Sequence, residues 1–169
     1  MTILRISSEY LTSLIEEASR SARARQHRNI HTSYEDPCQR FLNAIGTDSY
    51  IRPHRHGLDP KSETLIAVRG RFALITFDEV GEILEVIQFC TERYAADSEI
   101  AAGLDLSPGI WHTIVALVPD SILLELKAGP FNQNAAKELA PWAPEEQTPE
   151  GAEYLARLRA YVNSSRETG

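Results

Sequence analysis

Residues 63–77 read ETLIAVRGRFALITF, two runs rich in β-branched and aromatic residues that are joined by Gly70. Such residues favour strands, and a glycine between two such runs is typical of the turn of a hairpin. The sequence therefore predicts strands over residues 63–69 and 71–77. Five further short extended runs, separated by turn residues, surround this hairpin. They are residues 50–56, 83–89, 100–106, 111–117 and 122–128.

The connections between these runs are too short to hold the crossover helix that a parallel sheet needs. Seven or eight closely spaced strands without intervening helices are typical of an antiparallel sandwich or barrel. The predicted fold is therefore mainly β.

Helical periodicity appears on the N-terminal side of the strands. Residues 8–25 carry an apolar stripe at helical spacing. A second helix is predicted to begin at Asp36, as the N-cap, with Pro37 at the first helical position, and to end at Gly46. Its apolar stripe includes Cys38, which is therefore predicted to be a core residue.

Helical spacing returns near the end of the chain, where Thr148 and Pro149 are predicted to open a C-terminal helix. The sequence thus predicts three parts. They are an N-terminal helical extension over residues 1–46, a β-barrel domain over 47–130 and a C-terminal helical extension over 131–169.

Composition limits the classes of partner. The chain has 17 Lys and Arg against 24 Asp and Glu, a net charge of −7, which argues against a strongly basic nucleic-acid binder. The cluster Arg20, Arg23, Arg25 and Arg28 is predicted to be the solvated face of a helix. No apolar run approaches the ~18 residues of a membrane span, and the two cysteines show no paired spacing. We expect a cytoplasmic protein that binds neither nucleic acid nor membrane.

Four residues form a candidate metal site. His54 and His56 are two apart in a predicted strand, so their imidazoles point to the same side. A short turn returns the chain at Glu63, and His112 begins a later strand. Each residue alone is weak evidence, but three histidines and a carboxylate in this order suit a divalent transition metal such as zinc, iron, manganese or nickel.

Two longer patterns resemble the motifs of the cupin superfamily. The first runs from Gly46 through His54, His56 and Glu63 to Gly70, and the second from Gly103 through Pro108 and Gly109 to His112. The chain resembles most the WbuC-type cupin-fold metalloproteins that accompany bacterial surface-polysaccharide genes. The matching stretches are residues 28–31, 36–45, 50–56, 68–71, 111–113, 124–127, 129–131 and 142–144.

The resemblance implies a cupin double-stranded β-helix, a jelly-roll barrel with flanking N- and C-terminal helices. It also implies that His54, His56, Glu63 and His112 are the metal ligands. Six residues separate His56 from Glu63, more than in the general cupin pattern.

Other side chains are candidates to line a substrate cavity beside the metal site. Strand parity predicts that Arg52 and Tyr50 share the face of the two histidines and bind substrate, although a salt bridge at the rim is an alternative for Arg52. Glu125 and Lys127 lie on one face of the last strand. They either enter the pocket as a catalytic acid/base pair or contact solvent. His31 is predicted to be a capping or surface histidine.

These residues favour a metal-dependent enzyme acting on a small polar substrate such as a sugar or nucleotide sugar. An isomerase or epimerase in surface-polysaccharide biosynthesis fits the resemblance, and an iron-dependent oxygenase fits the ligand types. The alternatives are a non-catalytic module that binds or senses a small, possibly anionic ligand, and a purely structural metal. The amphipathic helices also suggest a homodimer.

Overall fold

The computed structural model describes residues 3–95, 100–135 and 137–165. Two α-helices flank ten strands. The helices are α1 (Ser8–Arg20) and α2 (Pro149–Ser164). The strands are β1 (Arg25–Asn29), β2 (Cys38–Ile45), β3 (His54–Arg55), β4 (Glu63–Arg69), β5 (Arg71–Phe77), β6 (Ile83–Cys90), β7 (Gly103–Leu106), β8 (Trp111–Ala116), β9 (Ser121–Ala128) and β10 (Glu138–Leu139). Short 3₁₀ turns cover Glu92–Tyr94 and Gln133–Ala135.

The strands form two five-stranded sheets. The first has the order β1-β2-β9-β4-β7 and the second β10-β3-β8-β5-β6, and the paired strands within each sheet are antiparallel. Successive strands alternate between the sheets over much of the chain, as in a jelly roll. The predicted fold, a double-stranded β-helix with a helix at each end, is confirmed.

Each helix covers a sheet. Leu14 and Ala18 of α1 pack on the first sheet, against Leu42 and Ile122. The apolar face of α2 covers the second sheet in the same way, in a cluster containing Ile75, Phe77, Leu155, Leu158 and Val162. Both helices therefore bury the apolar faces that suggested a homodimer interface.

A third apolar cluster includes residues of both sheets. It contains Leu65 and Leu123 of the first sheet and Phe72 of the second. Phe72 stacks on Phe89 with ring centroids 5.4 Å apart. Because β5 has this cluster on one face and α2 on the other, Phe72 to Phe77 are all buried. No helix among the described residues has both the length and the apolar character that crossing a membrane requires.

The prediction of a helix from Asp36 to Gly46 is wrong. The segment is strand β2, which pairs with β1 on one side and β9 on the other. The Asp36 carboxylate accepts a hydrogen bond from the Cys38 backbone N–H at 2.9 Å, so it forms a turn rather than a helix cap. Cys38 is exposed, so its predicted place in the core is also wrong.

Other predicted elements differ in their ends. The strand predicted over residues 50–56 is reduced to His54–Arg55, and α1 stops at Arg20 rather than at residue 25. The hairpin of β4 and β5 has its predicted bounds, with Gly70 at φ 86° in the turn. The predicted start of α2 is also confirmed, since the Thr148 side chain accepts a hydrogen bond from the Gly151 N–H.

Candidate metal centre

Three histidines meet between the two sheets. His54 of β3 lies opposite His112 of β8 in the antiparallel ladder, and their ring centroids are 4.5 Å apart. His56 follows β3, and its ring lies 5.2 Å from His54 and 5.7 Å from His112. One ring nitrogen from each of the three residues falls within 4.8 Å of the others. The side chains of His54 and His112, 58 residues apart in sequence, are thus brought together by strand pairing.

Two of the rings are oriented as metal ligands. His54 Nδ1 lies 3.0 Å from the Arg52 carbonyl oxygen, and His112 Nδ1 lies 2.9 Å from that of Ile110. A carbonyl can only accept, so each Nδ1 carries the hydrogen and each Nε2 keeps its lone pair. Metal-binding histidines make this same contact through their second nitrogen.

Glu63 completes a set of three nitrogens and one oxygen. Its Oε2 is 3.4 Å from His56 Nε2 and 3.6 Å from His112 Nε2. Tetrahedral ligands bound at about 2.1 Å are separated by about 3.4 Å, so these residues fit a zinc-like ion. The longer loop before Glu63 does not keep its carboxylate from the histidines.

Charge at the centre favours a cation. Burial by itself would raise the pKa of Glu63, but its contacts with His112 and His56 and the positive charge of Lys127 hold it well below its usual range. Burial, reinforced by nearby positive charge, lowers the pKa of His54. An ionised carboxylate and a neutral imidazole are the forms that bind a metal.

Glu125 and Lys127 both face the cavity. Lys127 pairs with Glu63 across the strands, and its Nζ lies 3.3 Å from Glu63 Oε1 and 2.8 Å from His56 Nε2. Glu125 Oε1 accepts a hydrogen bond from Asn43 Nδ2 at 2.8 Å. The residue before Glu125, Leu124, points the other way and packs in the cluster under α1.

Glu125 is a half-buried acid in the wall of the cavity. Burial, followed by the negative charge of Glu63, raises its pKa to about 8. The side chain is therefore mostly protonated at neutral pH, and it can donate a proton inside the cavity.

Two adjoining cavities, of about 390 and 490 Å³, open around the centre. His54, Glu63 and Glu125 line both of them. The smaller cavity also has Arg23 and Arg25 in its wall. The pocket is large enough for a small organic molecule beside the histidines.

The structure places Tyr50 and Arg52 away from these cavities. The Tyr50 ring is buried against α2, and its hydroxyl donates to the Pro144 carbonyl at 3.1 Å. The Arg52 guanidinium donates to the Ala140 carbonyl at 2.7 Å. Because residues 50–53 are outside any strand, the parity that grouped them with His54 does not apply.

Several residues of the cavity walls were not predicted from the sequence, and Arg25 and Asn43 are two of them. Arg25 was expected on a solvated helix face, but it lies in β1 and is buried, with a salt bridge to Glu146 at 2.5 Å. Asn43 belongs to the segment that was predicted as a helix, so its position beside β9 could not be recognised. Assigning residues 38–45 to a strand would have revealed this position.

Comparisons with known proteins identify the fold. The sequence model of a family described as "Domain of unknown function (DUF6016)" matches residues 6–89. Protein SO0799 from Shewanella oneidensis has a similar structure, with a TM-score of 0.56 at 12% identity over 95% of this chain and 96% of that one. This similarity extends over nearly the whole of both chains, including the flanking segments.

Two further structures resemble parts of the chain. KdgF from Halomonas sp. is 16% identical, with a TM-score of 0.45, over 65% of this chain and 82% of that one. A variant of Bacillus subtilis oxalate decarboxylase is 15% identical, with a TM-score of 0.48, over 69% of this chain and 28% of that one. No curated protein matches the sequence. The molecule is a jelly-roll double-stranded β-helix with a candidate metal-binding histidine triad.

Proposed function

We propose that this protein is a metal-dependent enzyme that moves a proton on a small polar substrate, a sugar or nucleotide sugar, in an isomerisation or epimerisation. The observation that carries the proposal is the position of Glu125, which lines both of the cavities that open around the three histidines and Glu63. A structural metal site needs no additional acid in the cavity beside it. A binding module without catalysis needs none either.

The donor set defines the cofactor that we propose. His54, His56, His112 and Glu63 would hold a divalent ion of the zinc, iron, manganese or nickel type. When bound, such an ion polarises a carbonyl or hydroxyl oxygen of the substrate. The choice among these metals depends on cellular supply as well as on ligand type.

The chain itself supplies the proton transfer. The ionised form of Glu125 takes a proton from one carbon of the substrate, and the protonated form returns a proton to the neighbouring carbon or to the opposite face, so that the substrate neither gains nor loses a proton overall. In an isomerisation the hydroxyl proton of the substrate passes to the former carbonyl oxygen. Asn43 fixes the orientation of the Glu125 carboxyl group. Lys127, beside Glu63, places a positive charge where negative charge develops on a substrate oxygen. We assign both Glu125 and Lys127 catalytic roles.

The proposal extends to the biological setting that the sequence resemblance implies. We place the protein with the WbuC-type cupins, with a cytoplasmic role in surface-polysaccharide biosynthesis. The resemblance over residues 28–158 supports this placement. A homodimer remains part of the proposal, although both helices already bury their apolar faces within the chain.

Solvent-deuterium exchange tests the reaction without knowledge of the product. Anaerobically purified protein is assayed for metals, reloaded with the metal found, and incubated in D₂O with a panel of sugars and nucleotide sugars. We expect NMR to show deuterium entering one carbon-bound position of one substrate, at a rate that falls at least about 100-fold in Glu125→Gln. Glu85→Gln, an exposed glutamate of β6, is the matched control.

Three results would contradict the proposal. They are exchange at an equal rate in metal-free protein, full exchange in Glu125→Gln, and no exchange with any substrate of the panel. Oxygen consumption by the iron-loaded protein without deuterium exchange would instead indicate the oxygenase that the ligand types also allow.

A further inference from the structure

His31 carries a buried polar atom without a partner. The residue is 7% exposed and lies just after β1, where its Nδ1 is 3.0 Å from the Arg40 backbone nitrogen and 2.9 Å from the Arg40 carbonyl oxygen. Nδ1 therefore has partners for either tautomer, and Nε2 can donate or accept a hydrogen bond accordingly. Among the described residues Nε2 has no hydrogen-bond partner. A buried polar atom without a partner costs about 1–3 kcal/mol, which a ligand would recover.

The same residue lines the larger cavity beside the metal centre. Tyr34 and Phe131 also line it, and they are 55% and 42% exposed. Their ring centroids are 5.1 Å apart, and the His31 ring lies 6.0 Å from that of Tyr34. The Phe131 N–H donates to the Tyr34 carbonyl at 2.7 Å, which ties the two segments together. Two aromatic rings are thus held in place at the cavity although much of each is in contact with water.

The shape and polarity of this aromatic pair indicate the ligand. The planes of Tyr34 and Phe131 are inclined by 38°, so they form a shallow angle rather than a parallel-walled slot for a flat base. Amide side chains of Asn29, Asn132 and Gln133 line the same cavity. A puckered ring with C–H groups on one face and hydroxyls around its edge matches both features.

We infer that the larger cavity is a pyranose subsite, in which a sugar ring lies against Tyr34 and Phe131 while one of its hydroxyls forms a hydrogen bond with His31 Nε2. The inference deepens the proposed function, on which it rests for the reaction at the metal centre. It adds the part of the protein that recognises the substrate. The amide side chains in the same cavity wall are hydrogen-bond partners for the remaining hydroxyls of the sugar ring.

Saturation-transfer NMR and titration on metal-free protein in chelator test the subsite separately from catalysis. The probes are the methyl pyranosides of glucose, galactose and N-acetylglucosamine, with uridine as the flat-ring comparison. We expect at least one pyranoside to bind, and its Kd to rise at least about tenfold in Tyr34→Ala and in Phe131→Ala. Both residues are exposed, so the fold tolerates their loss, and Tyr161→Ala on α2 is the matched exposed control.

His31→Gln separates the hydrogen bond from the stacking, because it should weaken the same pyranoside while Tyr161→Ala leaves it unchanged. The inference is overturned if no pyranoside binds, if Tyr34→Ala and Phe131→Ala bind as tightly as the wild type, or if only uridine depends on these rings. Sugar binding that requires Tyr34, without deuterium exchange in the loaded protein, supports the subsite and contradicts the proposed reaction.

Discussion

Replacing Glu125 by glutamine should flatten the pH dependence of stability in the metal-free protein. The pKa of Glu125 is raised from its ordinary value of 4.5 to about 8 in the folded chain. Between these two values the folded state holds a proton that the unfolded state has released, so stability falls as pH rises. The stabilisation is fully present below pH 4.5 and is lost on passing pH 8.

The size of the effect follows from the shift. Each pH unit inside this interval changes the free energy of unfolding by about 1.4 kcal/mol. From pH 6 to pH 9 the wild type should therefore lose about 2.7 kcal/mol through this one group. Glutamine keeps an oxygen that can accept the Asn43 hydrogen bond but has no proton to lose, so Glu125→Gln should lack this part of the decline.

Urea unfolding at pH 6 and pH 9 in chelator measures the difference. The wild type and the exposed control Glu85→Gln should show the same decline, and Glu125→Gln a decline smaller by about 2.7 kcal/mol. Equal declines in the wild type and Glu125→Gln would refute a raised pKa of Glu125 and remove the proton carrier from the proposed mechanism.

Three other predictions concern the fold and assembly. Gly70→Ala should cost at least about 2 kcal/mol in urea unfolding, because Gly70 has φ 86° and a Cβ there would collide with Ser121. A cost below 0.5 kcal/mol would contradict that turn. Leu155→Ala should cost about 2–4 kcal/mol by the same assay, since it opens a cavity under α2. Light scattering after size exclusion should give twice the chain mass, and a monomer would end the homodimer proposal.

The β-rich architecture could be predicted because its strongest signals are local. β4 and β5 are runs of strand-forming residues around a glycine that takes a positive φ, and their ends coincide with the prediction. The proline at position 149 and the Thr148 cap fixed the start of α2 in the same way.

The segment before Gly46 was wrongly predicted as a helix because its apolar pattern is ambiguous between a helix and a strand. Cys38, Phe41, Leu42 and Ile45 have helical spacing, yet the strand buries Gln39 and leaves Cys38 exposed. Pairing with a strand on each side decides between the two structures, and one of these partners is β9, about 80 residues further along the chain. Such distant pairing leaves no local trace in the sequence.

The candidate site likewise contains residues that a local pattern predicts and residues that only the folded chain brings together. The histidine motif could be recognised from spacing, but the direction of Glu125 and Lys127 depended on which face of β9 meets α1. Tyr50 and Arg52 were assigned to the cavity because the predicted strand covered residues 50–56. The strand in the structure contains only two residues, His54 and Arg55. The subsite residues Tyr34 and Phe131 come together through loops that no periodicity describes.

Metal stoichiometry tests the central claim most directly. Wild-type protein, His54→Ala, His112→Ala and the control His27→Ala, a cavity histidine outside the triad, are stripped with chelator, equilibrated with zinc and measured by elemental analysis, with circular dichroism to confirm folding. We predict about one equivalent in the wild type and in His27→Ala, and less than about a tenth in the two triad variants. A wild type without zinc, or folded triad variants that hold as much zinc as the wild type, would contradict the account.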